Sequence, residues 1–517
     1  MAPFPAELLL KIFSDLQTES PDALYAVAAS SQEFSRVARP LVYSEFRFVA
    51  YRGEKDVWSD KPVKRMEWWT SEDVAPLVRT CIIWPGRPLG ATMFPSGFLD
   101  IFQDAIERFR GLRRLVIDDV ALGGGLAKIH ACLPALEDLK VDLTYAQAPY
   151  VFNPAKTTEG AKLKRCQLTL RTKDGLPAFI PFLHPAGLTH LILKCNLRFW
   201  AQNASRLPAF PKVIALSIGG LAIKETSDIL ALLPKFPAVQ ELTLADLHDI
   251  DYSAFTAAAL GAMVDTLTTI DVPVELVPIL LPAAPHLTHI KLSESSNNTC
   301  WDLTRVLEGV SSVNVVSLDV YLNMPNAAAL STIFTAFPQL RELRLQAYDG
   351  EDLTDRGGLC GFLDLLAGRG KHAEMVLPAS LKSFMITWFS DDDFNSEENW
   401  RWVHTLSGGG SADSDEEETP SDDVDGGGRS DSEKKAGHDG APSVPPTNAG
   451  VLDYLQSMRD AILQCLPGLT SLWLDYPPFL VTWRRLAPMG PVSYESVVFE
   501  CEQDGPGIEA KDFWASR

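Results

Sequence analysis

Catalytic signatures are missing from this chain of 517 residues. It contains no G-x-x-x-x-G-K-[ST], no G-x-G-x-x-G, no H-E-x-x-H and no G-x-S-x-G, so phosphate loops, dinucleotide sites, zinc proteases and nucleophile elbows are not expected. Cysteine is sparse: the eight residues Cys81, Cys132, Cys166, Cys195, Cys300, Cys360, Cys465 and Cys501 include no C-x-x-C pair. That spacing signals neither a disulfide framework nor a zinc site and suits the reducing cytoplasm or nucleus. The apolar stretch from Val274 to Leu287 is broken by Pro278, Pro282 and Pro285 and falls short of the roughly 20 residues of a membrane span. The start, Met1 to Glu7, lacks a basic segment and is followed by only a short apolar run, so no secretory leader is expected. Positive charge is also short, with 46 basic against 67 acidic residues and a net charge of -21. Nucleic acid and anionic membranes would be repelled.

Two acidic or imidazole clusters could tempt a metal assignment. His286 and His289 stand three apart at a strand start, where successive side chains alternate faces, so they do not share a metal. Asp391 to Asp393 with Glu397 and Glu398 lack the spacing of a calcium loop and read as a solvated run. The expectation is a non-catalytic protein with no cofactor and no metal.

The chain does carry a repeat, in the order apolar, two residues, apolar, one residue, apolar. Copies begin at Leu112, Leu136, Leu163, Leu188, Val213, Val239, Leu267, Leu287, Val315 and Leu340, in steps of 20 to 28 residues. Further copies begin at Leu381 and Leu469, and Val78-Cys81-Ile83 opens the series. Pro134, Pro211, Pro237, Pro285, Pro338 and Pro467 each stand two residues before the first apolar position, where proline ends a helix without removing a ladder hydrogen bond. Alternate apolar residues on a strand point one way, and neighbouring repeats must stack to cover them. Helical segments between strands are expected at 226–236, 301–310, 326–337 and 453–466.

This period and its L-x-x-L-x-L core resemble the leucine-rich repeat, whose units each supply a strand and a helix. The resemblance implies an α/β solenoid of horseshoe form. The family's asparagine after the strand is plain only at Asn196 and Asn323, so the repeats are irregular.

The first 48 residues break the repeat. At 100° per residue, Leu8, Leu9, Leu10, Ile12, Phe13 and Leu16 cover an arc of about 200°, wider than the roughly 100° stripe of a surface helix. Two separate surfaces must therefore cover that helix, and two shorter helices follow at 22–28 and 32–38. The run Pro5-Ala6-Glu7-Leu8-Leu9-Leu10-Lys11-Ile12-Phe13, then Phe34, Pro40, Leu41 and Tyr43, resembles the F-box. Phe4 stands in place of the family's leucine. The resemblance implies docking of a Skp-type adaptor, and through it a cullin ubiquitin ligase, with Pro5, Leu8, Leu9, Ile12, Phe13 and Leu16 as contacts. A cap on the first repeat is the alternative role for these helices.

Residues 407–449 hold eleven acidic and three basic residues with two glycine triplets, a composition that reads as a disordered acidic insert. Ser414 and Ser430, each with Glu three positions on, fit an acidophilic kinase. The organisation expected is a helical domain at 1–48, a connecting segment at 49–76, the solenoid at 77–406, the insert, and terminal repeats with a cap at 450–517. Strand alternation turns His190, Lys194, Glu241, Asp271, His289, Lys291, Asp319, Tyr321, Glu342, Arg344, Gln346, Trp473 and Asp475 away from the core. They are the candidate contacts for a protein target, on a face expected to be polar or aromatic with no second apolar stripe. The expected function is substrate recognition for an SCF-type ligase; an interaction scaffold without a ligase role is the alternative.

Overall fold

A run with apolar residues at every second position can bury one face of a strand, and a further copy about 25 residues on can bury its own face only by pairing alongside. The computed structural model realises this arrangement. It describes residues 5–49, 61–84, 97–118, 129, 133–143, 163–170, 183–195, 197–219, 225–245, 247, 250–292, 300–323, 327–349, 366, 378–390, 459–476, 479–485 and 494–500. The acidic insert, Ser414, Ser430, Asn196 and the Asp391–Glu398 cluster lie outside them. The chain divides into two compact units, 1–298 with 302–319, and 299–301 with 320–517.

In the first unit ten strands follow one another in chain order: β1 (Glu45–Val49), β2 (Thr80–Trp84), β3 (Arg114–Asp118), β4 (Asp138–Leu143), β5 (Arg165–Leu170), β6 (His190–Lys194), β7 (Ala215–Gly219), β8 (Glu241–Ala245), β9 (Thr269–Val272) and β10 (His289–Leu292). Each neighbouring pair is parallel. The inward positions align in register. Phe46, Cys81, Leu115, Leu139, Cys166, Leu191, Leu216 and Leu242 form one such row, and every member is at most 2% exposed. Full burial of an apolar side chain is worth about 1.5–3 kcal/mol, so the row is a continuous source of stability shared between repeats.

A second device repeats with the strands. The carbonyl just ahead of each strand accepts two backbone N–H groups of the next repeat. Arg113 O takes Glu137 and Asp138, Glu137 O takes Lys164 and Arg165, Lys164 O takes Thr189 and His190, and Thr189 O takes Ile214 and Ala215. Where threonine occupies this position its hydroxyl adds a bond to the previous repeat: Thr189 Oγ1 donates to Lys164 O at 3.0 Å and Thr288 Oγ1 to Thr268 O at 3.2 Å. Glycine matters once in this ladder. A Cβ on Gly219 would stand 2.5 Å from the Ala245 carbonyl oxygen, so only glycine fits at the end of β7.

The helices preceding the ladder are α1 (Ala6–Glu19), α2 (Pro21–Ser30) and α3 (Gln32–Val42). Pro21 opens α2, and the Ser31 hydroxyl accepts from Phe34 N at 3.1 Å to cap α3. β1 starts at Glu45, so the segment expected to be helical through residue 48 already contains the first strand. Its Tyr43-Phe46-Phe48 spacing is one more copy of the repeat, which the F-box resemblance had absorbed. The stretch expected only to connect holds α4 (Lys61–Trp69) and a 3-10 turn at Ala75–Leu77.

β11 (Ser317–Asn323) runs across the division between the units. In the second unit β12 (Glu342–Asp349), β13 (Ser383–Ser390) and β14 (Ser471–Tyr476) are parallel neighbours. Two antiparallel strands, β15 (Phe479–Arg485) and β16 (Tyr494–Glu500), then end the series. Three of the four expected helices appear at Thr226–Leu232, Cys300–Leu307 and Ala327–Ala336, and of the fourth, 453–466, residues 459–465 are helical while 453–458 lie outside the described residues. Among the described residues, no helix is long and apolar enough to cross a membrane.

Candidate functional site

Two surfaces carry the residues singled out in the sequence. On α1 the residues expected to dock an adaptor separate into two sets. Leu9 and Phe13 are 6% and 3% exposed and form a small core with Leu24 and Ala38, flanked by Leu16, Val27 and Phe34. The Phe13 and Phe34 rings meet edge to face, centroids 5.8 Å apart at 85°. Leu9 and Phe13 are therefore interior residues and cannot contact a partner while the helices are folded. This corrects their assignment as contacts, and Leu16 is half-buried against the same core. Leu8 and Ile12 remain 50% and 48% exposed. At 100° per residue they lie about 40° apart, one turn after the other on one flank of the buried stripe. Leu10, also exposed, lies on the opposite flank. Pro5 is exposed beside the helix start. Sequence reasoning missed Tyr25 of α2, which is 54% exposed and has no periodic signal of its own.

The capping role uses other groups. Gln17 Nε2 donates to Leu41 O at 3.0 Å and to Ser44 Oγ at 2.8 Å. Ser44 O in turn accepts from Arg79 N and Thr80 N at the entry to β2. Tyr43 meets Trp68 and Trp69 edge to face, and Phe46 stacks on Trp69 with centroids 4.6 Å apart. The helices are thus fastened to the ladder by α1's far end and α3's last turn, which leaves Leu8 and Ile12 unused.

The second surface is the outward side of the strands. Burial alternates as expected on β5, β6, β8, β9 and β10, so His190, Lys194, Glu241, His289 and Lys291 stand on one side of the ladder. His190 and Glu241 fall in one cross-strand row through Ala215, and the row continues to Thr269 and His289. Burial lowers the His289 pKa below the usual imidazole range. Lys291 is paired: its Nζ lies 2.8 Å from Asp271 Oδ2 on the neighbouring strand. Arg114 and Asp138 form a similar register pair at 3.5 Å.

The expectation of no second apolar stripe fails in two places. Ile82 and Val116 are register partners on this side, with Val116 only 8% exposed, and Ile192 stands between His190 and Lys194. In the second unit the register joins Arg344 to Met385 and Met385 to Trp473, and Glu342 to Ser383. Here Ser383, Met385 and Thr387 are all at most 5% exposed, so β13 is buried on both sides and the outward face is closed at that strand. Arg344, Trp473 and Glu342 are half-buried beside it, and Asp319 and Tyr321 on β11 are half-buried as well. Strand alternation cannot foresee a covering over its outward side. Gln346 is half-buried at the same strand end, and the side chain of Asp475 lies outside the description.

Among the described residues, no group of three or more His, Cys, Asp or Glu is placed to hold a metal. Burial pushes the Cys81 and Cys166 thiols far above the ordinary range and Cys195 up to about 12, which makes poor nucleophiles of all three.

No family model matches the chain, and no curated protein matches it. Among solved structures the chain is similar to the leucine-rich repeat-containing protein LegL7 from Legionella pneumophila. The identity is 15% over 59% of this chain and 90% of that one, with a TM-score of 0.34.

Proposed function

We propose that the chain is the substrate-recognition subunit of an SCF-type ubiquitin ligase, with the helical unit docking a Skp-type adaptor and the strand ladder holding a protein target. The observation that carries this reading is the division of α1. One side of the helix supplies Leu9 and Phe13 to the core, while Leu8 and Ile12 stay exposed although the helices are already fastened to the ladder elsewhere. A cap alone needs only the first side.

On this reading ubiquitin transfer belongs to other subunits and this chain supplies geometry. The short link from α3 through Ser44 to β1 and β2 holds the docking helices in a set relation to the first strands, so a target on the outward strand face would be presented in a set orientation. The horseshoe curvature implied by the repeat resemblance would place that face on the inner side. The reading belongs to the cytoplasm and nucleus, where free thiols persist. Its test is capture of the full chain by immobilised Skp adaptor. Capture by the wild type and loss with Leu8→Asp/Ile12→Asp supports it, provided the variant keeps its melting temperature. Failure of wild-type capture leaves the chain an interaction scaffold without a ligase role.

A further inference from the structure

We infer that the outward face at the ends of β2 and β3 seats an arginine of the target, stacked on Trp84 and bound by the Asp118 carboxylate, with an aliphatic residue of the same segment on Ile82 and Val116. The inference rests on the receptor reading above and adds the chemistry of what is received.

The site is built by register within the first unit. Ile82 of β2 is the cross-strand partner of Val116 of β3, and the next outward positions on the two strands are Trp84 and Asp118. Alternate residues stand about 6.6 Å apart along a strand and neighbouring strands about 4.8 Å apart, so the four side chains adjoin. The floor is apolar, because Val116 is 8% exposed and Ile82 is half-buried. Trp84 is 49% exposed, and among the described residues it meets no other ring. Half an indole in water on a sheet face is surface that a partner can still cover, and interface hot spots favour tryptophan.

Charge decides the occupant. On β1 to β4 the outward cations already have carboxylates beside them. Arg47 pairs with Glu45, Arg114 bridges Asp138 at 3.5 Å, and Lys140 stands between Asp138 and Asp142 on its own strand. Lys140 is also diagonal to Asp118, so three cations face four carboxylates and one negative charge is left over. Asp118 is half-buried and enters no ion pair among the described residues. An apolar group laid over Trp84 alone would take water from that carboxylate and return no partner, at a cost that offsets the contact. An acidic segment would meet Asp118 and Asp142 directly. A guanidinium satisfies both neighbours at once: its plane stacks on the indole face, and its N–H fork donates to the carboxylate. An extended segment places same-side residues about 6.6 Å apart, so an aliphatic residue two positions from the arginine reaches Ile82 and Val116.

The test uses the full chain and a fluorescent capped peptide with arginine and leucine two residues apart in a background of serine and glycine, read by anisotropy. Wild type should bind it, and Trp84→Ala and Asp118→Asn should each weaken binding by about tenfold. Glutamine in place of the peptide's arginine should cost the wild type a similar factor and cost Asp118→Asn little more, since the two changes remove one contact. Asp118→Asn keeps the side-chain volume and carries the test by itself if Trp84→Ala does not fold. No binding by wild type, equal affinity for folded Asp118→Asn, or tighter binding of a peptide with glutamate in place of arginine overturns the inference. Adaptor capture is measured on the same proteins and keeps the two readings apart. Adaptor capture without peptide binding sinks this inference alone, and peptide binding without adaptor capture sinks the ligase reading alone.

Discussion

Neighbouring residues on α1 should respond in opposite ways to truncation. Phe13 is 3% exposed and packs edge to face on Phe34, in a core of only four fully buried residues. Phe13→Ala leaves a cavity whose cost is about 3–5 kcal/mol, comparable to all the stability so small a core supplies. The three helices should therefore open while the ladder, closed by its own carbonyl pairs and apolar rows, stays folded. Leu8 and Ile12 behave differently because about half of each side chain is already in water. Full burial is worth about 1.5–3 kcal/mol, so each retains about 1 kcal/mol to give to a partner. Leu8→Ala/Ile12→Ala should lose about 2 kcal/mol of adaptor binding, roughly thirtyfold, with little change in stability. Hydrogen exchange on peptides spanning 6–42 and 213–219, with adaptor affinity measured on the same samples, reads both effects. Full protection of α1 to α3 in Phe13→Ala would refute the core assignment. A double variant that binds the adaptor within about threefold of wild type would refute the assignment of the exposed flank.

Alkylation at pH 8 followed by peptide mapping should label Cys465, which is exposed, and spare Cys81, Cys166 and Cys195 until the chain unfolds; early labelling of the three would contradict their burial. Gly219→Ala should destabilise the first unit by about 1–3 kcal/mol, read in the melting temperature, because its Cβ meets the Ala245 carbonyl; an unchanged melting temperature would show that β7 and β8 part easily. Burial, and then the charge of Glu275, push the Tyr252 phenol up to about 12. The folded state thus keeps a proton that the unfolded chain releases near pH 10, and this contribution to stability is present below pH 10 and lost as pH rises towards 12. Tyr252→Phe should lessen the alkaline loss in that window, and identical alkaline melting curves for the two proteins would remove Tyr252 as its cause.

Legibility varied with the range of the physics involved. β3 to β10 could be read because each strand states its own inward residues, and even the weak copy Leu163-Cys166-Leu168 forms β5 in register with Leu139 and Leu191. β1 was hidden, since Tyr43, Phe46 and Phe48 serve two modules at once and the helical resemblance claimed them first. β15 and β16 pair antiparallel after the period has stopped, so no spacing announces them.

The residues of α1 show the same boundary at one helix. Its wide apolar arc required two covered surfaces, and that much is local stereochemistry at 100° per residue. Which residues face inward depends on where α2 and α3 lie, and their packing took Leu9 and Phe13 and left Leu8 and Ile12. The outward strand face divides likewise. Alternation along a strand put His190, Lys194, Arg344 and Trp473 on it, because side-chain direction is a property of each backbone. Register between repeats decided which cations meet and which are already bridged. Those outcomes depend on residues brought alongside by hydrogen bonds between strands far apart in the chain, so a single repeat does not contain them.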